Sequence, residues 1–150
     1  MTGKSLLLVE DNPDDVALTL RAFRLNNVSH EIAVAHDGAE ALDRLLPPAG
    51  PGDTPAELPA VVLLDLKLPK IDGLGVLRRM RAEARTAFVP VVILTSSNEP
   101  VDLLDSYRLG ANSFVRKPVS FGDLVVVTRR IAGYWLGVNE IPAPADIPTP

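Results

Sequence analysis

The chain has 150 residues, 47% of them apolar and 23% charged, so it is long enough for one domain with a full core and reads as globular and soluble. It has no cysteine, which excludes a disulfide framework and any thiolate metal site. The net charge of −4 argues against a nucleic-acid surface, no apolar run approaches the ~20 residues of a membrane span, and Met1-Thr2-Gly3-Lys4 leads into only four apolar residues before acids, so neither a span nor a signal peptide is expected and the expected location is the cytoplasm.

Strands and helices alternate along the chain. Residues 6–10 form the first predicted strand. Asn12-Pro13-Asp14-Asp15 then opens a helix, with Asn12 as N-cap, Pro13 in the first turn and two acids against the helix dipole. Val16, Leu20 and Phe23 mark its inner face. Residues 31–35 are a short second strand, and Asp37-Gly38 turns into a helix over 39–46. Residues 47–59 hold five prolines and two glycines, too many for any regular element. A third strand covers 61–65 and a helix 75–83. The fourth strand, 89–95, has Pro90 near its start. A helix over 100–109 is stopped by Gly110, and 113–115 is a brief fifth strand. A last helix over 121–136 puts Leu124, Val127, Ile131 and Trp135 on one face. The expected domain is therefore 1–136, followed by a Pro-rich extension, 137–150, that is too short to fold as an output module. Five strand-helix units imply a doubly wound α/β domain, with a parallel sheet covered on both faces.

The richest stretch is Asp65-Leu66-Lys67-Leu68-Pro69-Lys70-Ile71-Asp72-Gly73, which follows the apolar run from Ala60 to Leu64. It puts Asp65 at the C-terminal end of a strand, where open α/β sheets carry their chemistry. The first strand ends on Glu10 and Asp11, the fourth on Thr95, and the fifth near Lys117. Three carboxylates at neighbouring strand ends repel one another, and a site that keeps them holds a cation. A carboxylate can be a nucleophile. Magnesium held by few carboxylates keeps positions open for phosphate oxygens, while a lysine and a hydroxyl meet the charge on a phosphoryl group.

These residues resemble the receiver domain of two-component response regulators over about residues 5–136. The matching pieces are Val9-Glu10-Asp11-Asn12, Asp65 with Pro69, Asp72 and Gly73, Leu94-Thr95-Ser96, Gly110-Ala111 and Lys117-Pro118. The resemblance implies a flavodoxin-like strand order 2-1-3-4-5, an order that comes with the family and not from the residues. It implies that Asp65 accepts a phosphoryl group from a sensor histidine kinase. Glu10, Asp11, Asp65 and the backbone carbonyl of Lys67 would hold Mg²⁺. Thr95 would be the switch hydroxyl, Lys117 would pair with the phosphoryl group beside a cis bond to Pro118, and Phe114 would be the aromatic switch residue. The protein would catalyse only its own phosphorylation and dephosphorylation. A finer resemblance, in Glu10-Asp11-Asn12-Pro13, Thr95-Ser96-Ser97 and Tyr134-Trp135-Leu136, is to the small regulators that partner bacterial and cyanobacterial phytochromes.

Plainer roles suit other residues. Asp14 and Asp15 read as helix-dipole acids, and Asp72 as a turn residue before Gly73. Lys67, Lys70, His30 and His36 read as surface groups, and Tyr134 and Trp135 as packing. Val101, Leu103, Leu104, Tyr107, Val125 and Val126 cannot all point inward on helices, which leads us to expect a homodimer through the fourth helix, fifth strand and fifth helix, extended by the C-terminal segment. Two rival functions differ in class. A receiver-shaped interaction module would work without phosphate. A haloacid-dehalogenase-like phosphatase would want an acid two residues after the nucleophile, where this chain has Lys67.

Overall fold

A five-stranded, all-parallel sheet in the order β2-β1-β3-β4-β5 forms the centre of the computed structural model, which describes residues 3–48, 50, 52, 57–143 and 146. The strands are β1 (Ser5–Val9), β2 (Glu31–Ala35), β3 (Val61–Leu64), β4 (Val91–Thr95) and β5 (Ser113–Arg116). They alternate with α1 (Pro13–Leu25), α2 (Gly38–Leu45), α3 (Gly73–Ala82), α4 (Pro100–Arg108) and α5 (Phe121–Ala132). Fold class and strand order are those expected.

Alternation along each strand sends successive side chains to opposite faces. Leu7, Val9, Val62, Leu64, Val91 and Ile93 meet Leu42 and Leu45 of α2 and Val76, Leu77 and Met80 of α3. On the other face, Leu6, Leu8, Val61, Leu63, Val92 and Leu94 meet Phe23 of α1 and Ile131 and Ala132 of α5. Val16 and Leu20 pack against this second cluster as their spacing predicts. Burial on both faces is why β3 and β4 are unbroken apolar runs. The fourth helix is the exception, because Ser106 is its only buried residue.

Side-chain caps explain where the helices begin. Asn12 accepts from the amides of Asp14 and Asp15, Asp37 from Glu40, Asp72 from Gly75, and Ser120 from Asp123. Asp72 is thus more than a turn residue, and its cap starts α3 two residues before the expected 75. Asp37 likewise brings Gly38 into α2. Pro90 delays β4 to Val91, although its carbonyl still accepts from the Val62 amide at 2.9 Å. The α-helical winding of α5 stops at Ala132, short of the expected 136, and gives way to a wider π turn over Gly133–Val138 that takes in the first residues of the expected extension. Lys4 Nζ donates to the Asn139 carbonyl at 2.6 Å, tying the extension's first residues to β1's approach. Residues 144, 145 and 147–150 of the extension, and 49, 51 and 53–56 of the Pro-rich loop, lie outside the described residues.

The β3–α3 turn is tight because residue 73 has no side chain. A Cβ there would lie 2.2 Å from the Asp65 carbonyl oxygen and 2.7 Å from Leu66 Cα, both backbone atoms that cannot swing aside. The Gly73 amide also donates to the Leu66 carbonyl at 2.9 Å. Gly73→Ala is expected to lower unfolding free energy by about 1–3 kcal/mol, the usual penalty for overpacking, and to disturb Asp65. Urea denaturation checks this, and a midpoint equal to wild type would contradict it.

Candidate functional site

The parallel register delivers five functional groups to one rim of the sheet. Glu10 and Asp11 follow β1, Asp65 follows β3, Thr95 ends β4, and Lys117 stands one residue past β5. Backbone bonds lock these positions. The Glu10 amide donates to the Ala35 carbonyl (3.0 Å), the Asp65 amide to Val9 (3.1 Å) and the Lys117 amide to Thr95 (2.7 Å).

Glu10, Asp11 and Asp65 each offer a carboxylate oxygen, and these three oxygens lie within 4.8 Å of one another. Glu10 and Asp65 are buried, whereas Asp11 is open to solvent. The Lys117 ammonium donates to Glu10 Oε1, to Asp65 Oδ2 at 3.0 Å and to Asp15 Oδ2 at 3.1 Å. Asp65 Oδ1 accepts from the Lys67 amide at 3.3 Å. Burial, with the Asp65 charge added, pushes the Glu10 carboxyl up to about 7 from 4.5, even though the Lys117 hydrogen bond acts in the opposite direction. Burial works against the Lys117 charge as well, but its bonds to Glu10 and Asp65 and their charges outweigh it, holding the ammonium above the ordinary lysine range.

The oxygen donors fit a hard divalent cation, since three carboxylates converge at one point and one of them faces solvent. Lys117 already supplies positive charge there but answers only part of the negative charge around it. The Thr95 hydroxyl is fully buried and accepts from the Ser97 amide at 3.3 Å. Ser97 Oγ in turn donates to Asp102 Oδ2 on α4, so a hydrogen-bonded chain runs from the rim to that helix. Phe114 is half-buried and already packs against the core on the α2–α3 side.

The structure therefore gathers Glu10, Asp11, Asp65, Thr95 and Lys117 at one rim as the sequence predicts, and it sets Phe114 on β5 opposite Ile93 of β4. One expectation is corrected. There is no cis peptide bond among the described residues, so the Lys117–Pro118 bond is trans, the more stable form even before proline by about 0.5–1 kcal/mol. One residue was missed in part. Asp15 is in the first turn of α1, as a dipole acid should be, but its carboxylate reaches Lys117 across the fold. Only the cross-fold contact with a residue 102 positions away reveals this. Lys67, Lys70, His30 and His36 are exposed; Lys70 pairs with Asp37 at 3.4 Å and His36 with Glu40 at 3.3 Å. Trp135 packs partly into the core, edge-on to Tyr134 with ring centroids 4.8 Å apart.

Residues 6–129 match the family described as the response regulator receiver domain. The chain is 43% identical to the probable methanogenesis regulatory protein FilR2 of Methanothrix harundinacea, over 93% of this chain and 88% of that protein. It is 33% identical to response regulator Rcp1 of Synechocystis, over 93% of this chain and 94% of that one. The Mn²⁺-bound form of Rcp1 superposes with a TM-score of 0.81, covering 93% and 99% of the two chains. The bacteriophytochrome response regulator AtBRR is 46% identical with a TM-score of 0.72, over 93% and 96%.

Proton competition at Glu10 gives a testable pH dependence. The folded protein without metal keeps a proton on Glu10 up to about pH 7, so a cation must displace that proton below pH 7 and need not above it. Affinity for a magnesium salt is expected to rise with pH and level off above neutrality, about tenfold tighter at pH 8 than at pH 6. Calorimetric titration at the two pH values checks this, and equal affinities would contradict it.

Proposed function

The chain belongs to the response regulator receiver family, and on that premise we propose that Asp65 is the phosphoacceptor of a two-component phosphorelay. Receivers of this family accept phosphate from sensor histidine kinases. The observation that carries the assignment is the Lys117 ammonium bridging Asp65 and Glu10 at the ends of adjacent strands.

In the proposed reaction an oxygen of Asp65 attacks the phosphorus of a phosphohistidine. The new O–P bond forms as the N–P bond breaks, and the imidazole leaves with the electron pair and takes a proton from solvent. Glu10, Asp11, Asp65 and the Lys67 carbonyl would hold Mg²⁺, which when bound neutralises charge on the phosphoryl oxygens. Lys117 contacts a phosphoryl oxygen through its ammonium, and Thr95 donates its hydroxyl to another. The protein turns over no separate substrate.

The acyl phosphate carries about −2 charge where Asp65 carried one, and it draws hydrogen-bond donors toward it. Thr95 moves in that direction, and Phe114 and α4 adjust to the space it leaves. The surface that changes is apolar: Val101, Leu103, Leu104 and Tyr107 of α4 and Val126 of α5 are all exposed. A homodimer through α4, β5 and α5, extended by the segment after Ala132, would cover it. The 46% identity to AtBRR over nearly the whole of both chains supports a phytochrome histidine kinase as the phosphodonor.

Two experiments test this reading. Incubation with acetyl phosphate and Mg²⁺ is expected to give a shifted band on a phosphate-affinity gel, lost with EDTA and lost completely in Asp65→Asn; a shifted band in Asp65→Asn would remove the assignment. In sedimentation at micromolar concentration, the beryllofluoride-bound protein is expected to run as a dimer. A monomer in both free and bound forms would dispose of the homodimer.

A further inference from the structure

Lys117 has three carboxylate partners, and they differ in what else they do. Glu10 and Asp65 belong to the trio of oxygens that converge for a cation, whereas Asp15 stands outside it. Asp15 is set by the start of α1: its amide donates to Asn12 Oδ1 at 3.2 Å, which holds the first turn and aims the carboxylate across at the β5–α5 loop. Its Oδ2 lies 3.1 Å from Lys117 Nζ, with the lysine side chain 16% exposed and the aspartate 39%. Asp14, its neighbour, faces solvent.

A divalent cation changes this balance. With Glu10 and Asp65 holding a cation, their charge would no longer be available in full to the ammonium, and the added positive charge would oppose Lys117. A lysine on a flexible four-carbon stem then gains little by staying at the rim and can swing into water. Asp15 is the partner that the cation does not take. It is close enough to keep its bond to the ammonium, and its helix turn is tied down by Asn12.

Building on the assignment of Asp65 as phosphoacceptor, we propose that Asp15 is a positioning residue for phosphoryl transfer. Its carboxylate keeps the Lys117 ammonium at the rim while Glu10 and Asp65 serve the cation. Asp15 touches neither cation nor phosphoryl group; it acts through Lys117. An ammonium held in advance meets the charge on the phosphoryl oxygens without reorganising at the moment of transfer.

The test compares wild type, Asp15→Asn and Asp15→Glu. Phosphorylation by acetyl phosphate is followed across donor concentrations at saturating Mg²⁺. The Lys117 ammonium is followed by ¹⁵N NMR of lysine-labelled protein with Mg²⁺ bound. Asp15→Asn is expected to lower the limiting rate about three- to fivefold, the effect of one partly exposed ion pair, without raising the half-saturating donor concentration. A limiting-rate effect separates positioning from repulsion of the anionic donor, whose relief would show as a lower half-saturating concentration. Asp15→Glu is expected to recover most of the rate. The slowly exchanging Lys117 ammonium signal is expected in wild type and lost in Asp15→Asn. A limiting rate in Asp15→Asn within twofold of wild type, or an ammonium signal retained there with Mg²⁺, overturns the proposal while leaving Asp65 as phosphoacceptor. No phosphate on wild type from either acetyl phosphate or a phosphohistidine donor overturns both.

Discussion

Carboxylates crowded at the ends of neighbouring strands are the constraint around which this molecule is organised. Glu10 and Asp65 are buried, close to each other, and of like charge. Burial, with the neighbouring Asp65 charge added to it, disfavours ionising both, which shows in the raised Glu10 carboxyl. Lys117 relieves it from the far side of the sheet, reaching back over β4 with its own amide pinned to the Thr95 carbonyl. The pairing is internal and replaceable. In the proposed reaction a divalent cation would serve the two carboxylates in the lysine's place, and the phosphoryl group would take the ammonium. The same electrostatics that hold the resting site together also make it responsive.

Elsewhere the scaffold is closely packed and hydrogen-bonded. Both sheet faces are closed by paired helices, α2 with α3 and α1 with α5. The turn below Asp65 leaves no room even for a methyl group at residue 73. Arg81 ties two loops together, giving its guanidinium to the carbonyls of Thr86, Ala87, Val89 and Gly110 and to the Asn112 side chain. Against this frame α4 is lightly held. It buries one serine, and it is linked to the rim through Thr95, Ser97 and Asp102. An element with few apolar contacts costs little to shift, and this one carries most of the exposed apolar side chains of its surface.

Much of this was legible in order along the chain. Unbroken apolar runs such as Val61–Leu64 announced strands buried on both faces, and the residues after them announced the rim. Asn12 marked the start of α1 through side-chain to backbone bonds that depend on neighbours alone, whereas the caps at Asp37 and Ser120 emerged only from the structure. The misses have separate causes. Asp72 looked like a turn residue because a cap and a turn use the same short acid. Trans Lys117–Pro118 differs from a feature inferred by family likeness, and no local residue pattern decides between isomers whose energies are so close. The end of α5 looked longer because Trp135 and Leu136 keep the helical spacing even where the winding widens.

By itself the sequence determined the alternation of elements, the two-faced burial and the identity of the acids, hydroxyl and lysine, because these follow from side-chain periodicity and from chemistry carried by single residues. Which groups touch was decided only by the tertiary structure. Strand order places Glu10 beside Asp65, and the packing of α1 on α5 brings Asp15 to Lys117 across 102 positions of chain. Such contacts depend on the summed register of five strands and the docking of whole helices, so no short window of residues contains them.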